Sequence, residues 1–171
     1  MGCPKRQPFL LYNEETMYFV GINIGQDVTT VSRSPGYNGP PVSQIALKPS
    51  NNNAGKKILS AVCRRNNQWS LVYYGKQDYK LEDIREGFKG RISKMTARDR
   101  ESMREFAKLI FDTILINDPD LQYTSPDDKN FELGIACPSQ WVREDLNAQQ
   151  EYLNFFRYEC GVPVDFCMKR G

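Results

Sequence analysis

A chain of 171 residues, 40% hydrophobic and 26% charged, has the composition of a soluble globular protein. Its length allows one domain or one lobe of a larger domain, and a formal net charge of +2 with no long basic cluster argues against a nucleic-acid-binding surface. The absence of histidine removes the commonest general base at neutral pH and the commonest zinc ligand.

Cysteine usage and hydropathy indicate the compartment. The five cysteines, at positions 3, 63, 137, 160 and 167, include no Cys-x-x-Cys pair and are typical of reduced thiols. No apolar run approaches the ~20 residues that a membrane span needs, and the N-terminus has no secretory signal core. We therefore expect a cytoplasmic protein that binds neither membranes nor nucleic acids.

The N-terminal part predicts a leader followed by a β-hairpin. Residues 1–16 contain two prolines and no hydrophobic periodicity, which is typical of a flexible leader. An apolar run of strand length at 18–24 and an alternating, β-branched run at 28–32 predict two paired strands. Gly25-Gln26-Asp27 would form the turn between them.

This turn is the strongest local candidate for a site. Gly25 has no Cβ, so backbone N–H groups around it could approach an anion closely. Asn23 before the turn and Thr29-Thr30 after it would add polar side chains within reach of a phosphate or a hydrated cation. A purely structural glycine turn between half-buried strands is the alternative.

The middle of the chain predicts short strands and then helices. A third strand is expected at 42–48, and two more at 58–64 and 69–74 around Asn66-Asn67. The charged stretch 81–92 is predicted to be helical, with interruptions at Gly87 and Gly90. From 97 to 117, apolar residues at three- and four-residue spacing predict a long amphipathic helix, which Asp118-Pro119 ends.

The last third predicts a crossover unit. A strand at 131–137 leads into a second long helix, capped by Ser139 and closed by Gly161, and a final strand is expected at 164–168. The buried face of that helix is predicted to carry four residues: Val142, Leu146, Leu153 and Phe156. Such a crossover places the carboxyl end of its strand at a ligand crevice, although a plain scaffold fits equally well.

Three segments together resemble one superfamily. Gly21-Ile22-Asn23-Ile24-Gly25-Gln26-Asp27 is similar to the phosphate-1 signature of the actin, hexokinase and 70-kDa heat-shock chaperone superfamily, usually written Gly-Ile-Asp-Leu-Gly-Thr-Thr. The segment 131–138 resembles the strand that enters the crossover helix of that superfamily, and 159–164 resembles the helix exit. The resemblance extends from about Tyr18 to the end of the chain.

The resemblance implies a fold and a domain organisation. The fold would be an α/β, ribonuclease-H-like (actin-like ATPase) lobe, in which a mixed sheet with crossover helices carries a small inserted α+β subdomain at about 42–122. Residues 17–171 would be the first of two lobes, and the second phosphate hairpin would lie beyond Gly171. Complete members of the superfamily clamp ATP or ADP with Mg²⁺ between the two lobes.

The resemblance also implies site residues. Asn23, Gly25, Gln26 and Asp27 would contact the nucleotide, with Asn23 holding Mg²⁺ through water, and Lys89 would stand near the γ-phosphate. Asn23 occupies the place of the superfamily's Asp, so it lacks the charge that attracts Mg²⁺ and cannot act as a base. Gln26 replaces a Thr and loses its hydroxyl, and an ordinary surface lysine is the alternative for Lys89.

Two functions from different classes remain open. The chain would be the first lobe of a chaperone-like, ATP-binding protein that hydrolyses no ATP by itself. Alternatively, it would be a degenerate, non-catalytic actin-like module for assembly, whose partner is the missing second lobe or a second copy of itself. An α/β domain unrelated to nucleotides is the third interpretation.

Overall fold

The structure is a computed structural model, and it describes residues 17–34, 43–44, 57–73 and 79–170. The predicted leader at 1–16 and most of the predicted third strand at 42–48 lie outside these residues. In chain order, the described strands and α-helices are β1 (Tyr18–Ile24), β2 (Val28–Ser34), β3 (Ser43–Gln44), β4 (Lys57–Leu59), β5 (Ala61–Arg65), β6 (Gln68–Leu71), β7 (Ile84–Glu86), α1 (Ala97–Asn117), β8 (Phe131–Pro138), α2 (Ser139–Glu144), α3 (Ala148–Asn154) and β9 (Phe166–Arg170).

The main sheet runs β3-β2-β1-β8-β9, and β4 pairs with β2 as well. The pairs of β2 with β1, β3 and β4 are antiparallel, whereas β8 is parallel to both β1 and β9. The step from β8 to β9 passes through α2 and α3, which is a crossover connection between parallel neighbours. This arrangement confirms the predicted mixed sheet with crossover helices.

A second, antiparallel sheet has the order β6-β5-β7. Its first two strands form a hairpin whose turn residues, Asn66 and Asn67, have φ values of 51° and 62°. Asparagine tolerates this left-handed conformation, which two-residue hairpin turns require. The sheet lies within the segment 42–122, for which an inserted subdomain is predicted, and the division into lobe and insertion stays a prediction.

The core lies on one face of the main sheet. Alternate residues of β1 and β8 point to this face, and they are nearly or fully buried: Val20, Ile22, Ile24, Leu133, Ile135 and Cys137. The predicted apolar stripe of α1 packs into the same core, with Met103, Phe106, Ile110 and Ile114 fully buried. Burying each such side chain contributes about 1.5 to 3 kcal/mol.

The prediction for α1 is confirmed at both ends. The Thr96 hydroxyl accepts a hydrogen bond from the Asp99 N–H at 3.1 Å, so Thr96 caps the first turn. The helix ends at Asn117, before Asp118 adopts an extended backbone conformation and Pro119 follows.

Two predictions for the region before α1 are wrong. The strand expected at 58–64 is two strands, because the chain breaks at Ser60 and β4 joins the main sheet while β5 joins the second. The stretch 81–92 is not helical: it contains short 3₁₀ turns and β7, which pairs with β5. Sheet pairing here overrides helix propensity, and Gly87, with φ of 66°, ends the strand.

The predicted second helix is broken into two. Asp145 is extended, with φ of −154° and ψ of 115°, and its Oδ1 accepts the N–H of Asn147 at 2.9 Å. This side chain to backbone bond replaces the helical one at that point. Leu146, predicted to be buried, lies in the break and is 85% exposed. Val142 and Phe156 are buried as predicted.

The ends of the crossover unit also differ in detail from the prediction. The residue before α2 is Pro138, and Ser139 is the first helical residue, so Ser139 caps nothing. After α3 the chain closes in a π-helical turn, Phe155–Glu159, and Gly161 has the predicted left-handed φ of 66°. The final strand begins at Phe166, two residues later than expected. None of the described helices is both long and apolar enough to cross a bilayer.

Candidate functional site

The β1–β2 hairpin turns within two residues, Gln26 and Asp27, and Gly25 makes this possible. The Gly25 N–H donates to the Val28 carbonyl at 2.9 Å. A Cβ on Gly25 would lie 2.4 Å from that same oxygen, which is closer than real Cβ contacts. Only glycine therefore fits this turn in its present form.

The turn is held from the side by Ser60, which the sequence analysis did not single out. The Ser60 N–H donates to the Asp27 carbonyl at 2.8 Å, and the Ser60 hydroxyl lies 2.9 Å from that of Thr29. Thr29 is fully buried. The prediction that Thr29 faces a ligand is wrong, because its hydroxyl is used to fix β2 against the β4–β5 connection.

The backbone of the turn offers two N–H groups to a ligand. The Gly25 N–H closes the turn and is therefore occupied. Within the described part of the chain, no group accepts a hydrogen bond from the N–H of Gln26 or Asp27. Both residues are exposed at the tip of the hairpin. The anion cradle at Gly25 stays a prediction, and the N–H groups of Gln26 and Asp27 would be its donors.

Asn23 lies on the face of β1 opposite to the core. It stands in register with Thr30 on β2, and β1 alternates so that its even-numbered neighbours are buried in the core. The Oδ1 atom of Asn23 is buried and has no hydrogen-bond partner among the residues that the structure describes. An unsatisfied buried acceptor costs about 1 to 3 kcal/mol, so a donor from a water molecule or from a ligand would be stabilising at this position.

Lys89 reaches the hairpin from the segment between β7 and α1. Its Nζ donates to the Ile24 carbonyl, at the carboxyl end of β1 and next to Gly25. The same Nζ lies 5.9 Å from the centroid of the Trp141 ring, within the range of a cation–π contact. The structure therefore brings Lys89 to the candidate hairpin, although 62 residues separate it from Asp27 in the sequence.

A cleft of about 340 Å³ opens beside the turn. It is lined by Gln26, Asp27, Leu59, Ser60, Ala61, Glu86 and Gly87. Asp27 and Glu86 place two carboxylates in it, and the Lys89 ammonium lies at the neighbouring strand end. A polyphosphate would enter this negative cleft more readily with a cation of its own.

Asn23 fits a hydrated cation only in part. The unpartnered Oδ1 can accept a hydrogen bond from a water of a hydrated Mg²⁺, but the amide brings no charge. In the ranges that the structure describes, no three His, Cys, Asp or Glu side chains are placed to hold a metal ion. The role of Asn23 toward Mg²⁺ stays a prediction.

Trp141 is a second residue that the sequence analysis missed. It follows β8 in the first turn of α2, at the sheet edge where the crossover predicts a ligand crevice. Its ring meets that of Tyr152 edge-on, with centroids 5.6 Å apart and an interplanar angle of 81°. Its position directly after the strand end is the signal that could have identified it.

The thiol of Cys137 lies near the Lys89 charge at this edge. Burial raises the pKa of Cys137 above its ordinary value, whereas a hydrogen bond with Cys167 and the charge of Lys89 act to lower it. Cys137 is fully buried. A buried thiol that favours its neutral form is a packing element here and not a nucleophile.

The fold of this chain resembles that of known proteins whose structures have been solved. No family model matches it, and no curated protein does. A non-polymerising mutant of MamK bound to AMPPNP aligns with 90% of the chain at 18% sequence identity, with a TM-score of 0.50. The fold is that of an actin-like ATPase lobe.

The matched proteins are much longer than this chain. The chain spans 40% of the MamK chain. Two structures of the Aquifex aeolicus Ppx/GppA enzyme align with 90% of this chain at 12% identity and are covered to 36% of their own length. Their TM-scores of 0.34 and 0.37 are too low to add to the fold assignment.

Proposed function

We propose that this chain binds ATP or ADP, with Mg²⁺ carried by the phosphates, at the β1–β2 hairpin of an actin-like lobe. The observation that carries the proposal is the Lys89 ammonium at the Ile24 carbonyl, one residue from the Gly25 turn. The exposed N–H groups of Gln26 and Asp27 and the unpartnered Oδ1 of Asn23 surround the same strand end. The ammonium and the backbone N–H groups suit the phosphates of a nucleotide, and the amide oxygen suits a water molecule of hydrated Mg²⁺.

Binding without hydrolysis is the activity that these residues favour. Asn23 occupies the position next to the turn where a carboxylate would attract Mg²⁺ and orient water, and an amide does neither. The lysine near the phosphates favours the chaperone-like lineage within the actin-like fold. Four described cysteines are free, in keeping with a protein of the reducing cytoplasm.

Calorimetric titration of the chain with ATP, with and without Mg²⁺, tests this proposal. We expect Lys89→Met to weaken ATP binding at least about tenfold, since a hydrogen bond to a charged group contributes about 1.5 to 3 kcal/mol. Lys129→Met is the matched control: Lys129 also lies over an aromatic ring, Phe131, but at the opposite end of β8. Equal affinities of the Lys89→Met and wild-type chains would overturn the proposal.

Assembly is the second candidate, and one observation favours it. Phe166 and Met168 point to the face of the sheet opposite to the core, and Met168 is 48% exposed. Nothing described lies within 4 Å of a Cβ placed on Gly21 of the same face. We propose that this face contacts a second lobe or a second copy. Analytical ultracentrifugation of the wild-type chain and of Met168→Lys tests self-association. If the wild-type chain stays a monomer at high concentration, contact with a second copy is contradicted.

A further inference from the structure

We propose that Trp141 is a positioning residue for Lys89: its indole ring holds the Lys89 ammonium over the carboxyl end of β1, where the phosphates of a nucleotide would lie. This inference deepens the proposed function and rests on it. Lysine has a flexible four-carbon stem, and ordering it costs conformational entropy. A site that uses a lysine gains affinity when the protein orders the side chain before the ligand arrives.

The backbone of Lys89 is fixed by its neighbours on both sides. Phe88 is 2% exposed and packs against Phe106 of α1, with ring centroids 5.3 Å apart. Arg91 places Nη2 2.5 Å from Asp145 Oδ2, and its Nη1 lies 3.7 Å from Glu144 Oε2. The Arg91 side chain is 11% exposed, whereas Asp145 and Glu144 are 32% and 45% exposed, so these ion pairs are only partly shielded from water. The segment that carries Lys89 is therefore anchored to α1 and to the break between α2 and α3.

The side chain of Lys89 is fixed by different contacts. Its Nζ meets the Ile24 carbonyl and lies 5.9 Å from the Trp141 ring centroid. Trp141 is held in turn by the edge-on ring of Tyr152, which is fully buried. A chain of contacts thus runs from the core through Tyr152 and Trp141 to the ammonium. The indole face attracts a cation specifically, so it selects the orientation of Lys89.

The break between α2 and α3 at Asp145 places the Lys89 segment next to Trp141. Asp145 uses Oδ1 for the N–H of Asn147 and Oδ2 for Arg91, so the residue that ends α2 also anchors the Lys89 segment. Trp141 stands one helical turn earlier and faces the same segment. A continuous helix from 139 to 159 would leave Asp145 with a helical backbone and no such pair of bonds.

The first measurement concerns the protein without nucleotide. In the NMR spectrum we expect the ε-methylene protons of Lys89 to be shifted upfield by the Trp141 ring current. They should return to the ordinary lysine position in Trp141→Leu and stay shifted in Trp141→Phe. An ordinary position in the wild-type chain would overturn the proposal, whatever nucleotide binding shows.

The second measurement is a double-mutant cycle on AMPPNP affinity. We expect Trp141→Leu to weaken binding about three- to tenfold, and Trp141→Phe to restore most of the affinity. In the Lys89→Met background, Trp141→Leu should have no further effect, because its contribution acts through the ammonium. An equal loss in both backgrounds would mean that Trp141 acts structurally, and it would overturn the proposal.

The two measurements separate failure of this inference from failure of the proposed function. If the wild-type chain does not bind AMPPNP, nucleotide binding is disproved, and the NMR shift still decides whether Trp141 orders Lys89. If the chain binds AMPPNP but the cycle shows no coupling, the function stands and the positioning role fails. Because Trp141 also packs on Tyr152, the Phe variant keeps the test valid where the Leu variant is unstable.

Discussion

Two side chains lie near the carboxyl end of β1, and they differ in whether their polar groups have partners. Lys89 contacts the strand end from the side of the helices, with the Ile24 carbonyl and the Trp141 ring as partners. Asn23 lies on the other face, and no hydrogen-bond partner of its buried Oδ1 is found in the described part of the chain. The difference teaches that the charged half of the candidate site is already ordered, whereas the neutral half has a hydrogen-bonding position left unused.

The hairpin turn joins these two halves, so breaking it gives the largest expected effect. We expect Gly25→Ala to lower the free energy of unfolding by about 2 to 3 kcal/mol, because its Cβ would overlap the Val28 carbonyl. Urea denaturation measures this loss. Gly21→Ala is the control on the same strand, since its Cβ meets nothing within 4 Å. Equal stabilities of the two variants would show that the turn is not constrained as described.

Variants of Asn23 test whether its unused oxygen takes part in nucleotide binding. Asn23→Leu removes the unsatisfied oxygen, so we expect it to raise the free energy of unfolding by about 1 kcal/mol. Asn23→Asp should strengthen Mg²⁺-ATP binding about fivefold and weaken Mg²⁺-free ATP binding, because a carboxylate attracts the cation and repels bare phosphate. Titrations with and without Mg²⁺ measure both. A Mg²⁺-independent response to Asn23→Asp would place the phosphates away from Asn23.

The smallest predicted effect concerns Cys160, and it tests how completely water is excluded from the face of the sheet that the helices cover. Burial raises the pKa of Cys160 to about 12, so its thiol stays neutral in the folded chain while the unfolded chain ionises near pH 8.5. The unfolded state then binds fewer protons, and stability falls as pH rises above 8.5. Between pH 9 and 10 we expect Cys160 alone to cost about 1 kcal/mol. Cys160→Ala should flatten that decline in urea denaturation, and an unchanged slope would contradict this burial.

The sequence predicted the sheet and its hairpin well because their signals are local. The apolar run of β1, the alternation in β2 and the apolar stripe along α1 each reflect the burial of their own element, and the glycine at 25 marks the turn. The region 58–92 differs from the prediction because β4, β5 and β7 are defined by pairing with strands that are distant in the sequence. Charged residues at 81–92 suit a surface helix locally, but pairing with β5 decides otherwise.

The candidate site is predictable in part from the hairpin itself and in part from the resemblance. The turn alone points to Gly25 and Asn23, the superfamily pattern adds Gln26, Asp27 and Lys89, and the structure brings Lys89 to the strand end. Ser60, Trp141 and Arg91 reach the site through tertiary packing, and no spacing in the sequence connects them to the hairpin. The helix break at Asp145 is likewise caused by bonds that form only in the folded chain.

The central claim is that a nucleotide binds with its phosphates at the hairpin and Lys89. An NMR titration of the isotopically labelled chain with AMPPNP and Mg²⁺ tests it most directly. We expect the amide signals of Gln26 and Asp27 and the ammonium signal of Lys89 to move together and to saturate at the same ligand concentration. Saturable shifts confined to other residues, or no shifts at millimolar nucleotide, would contradict it.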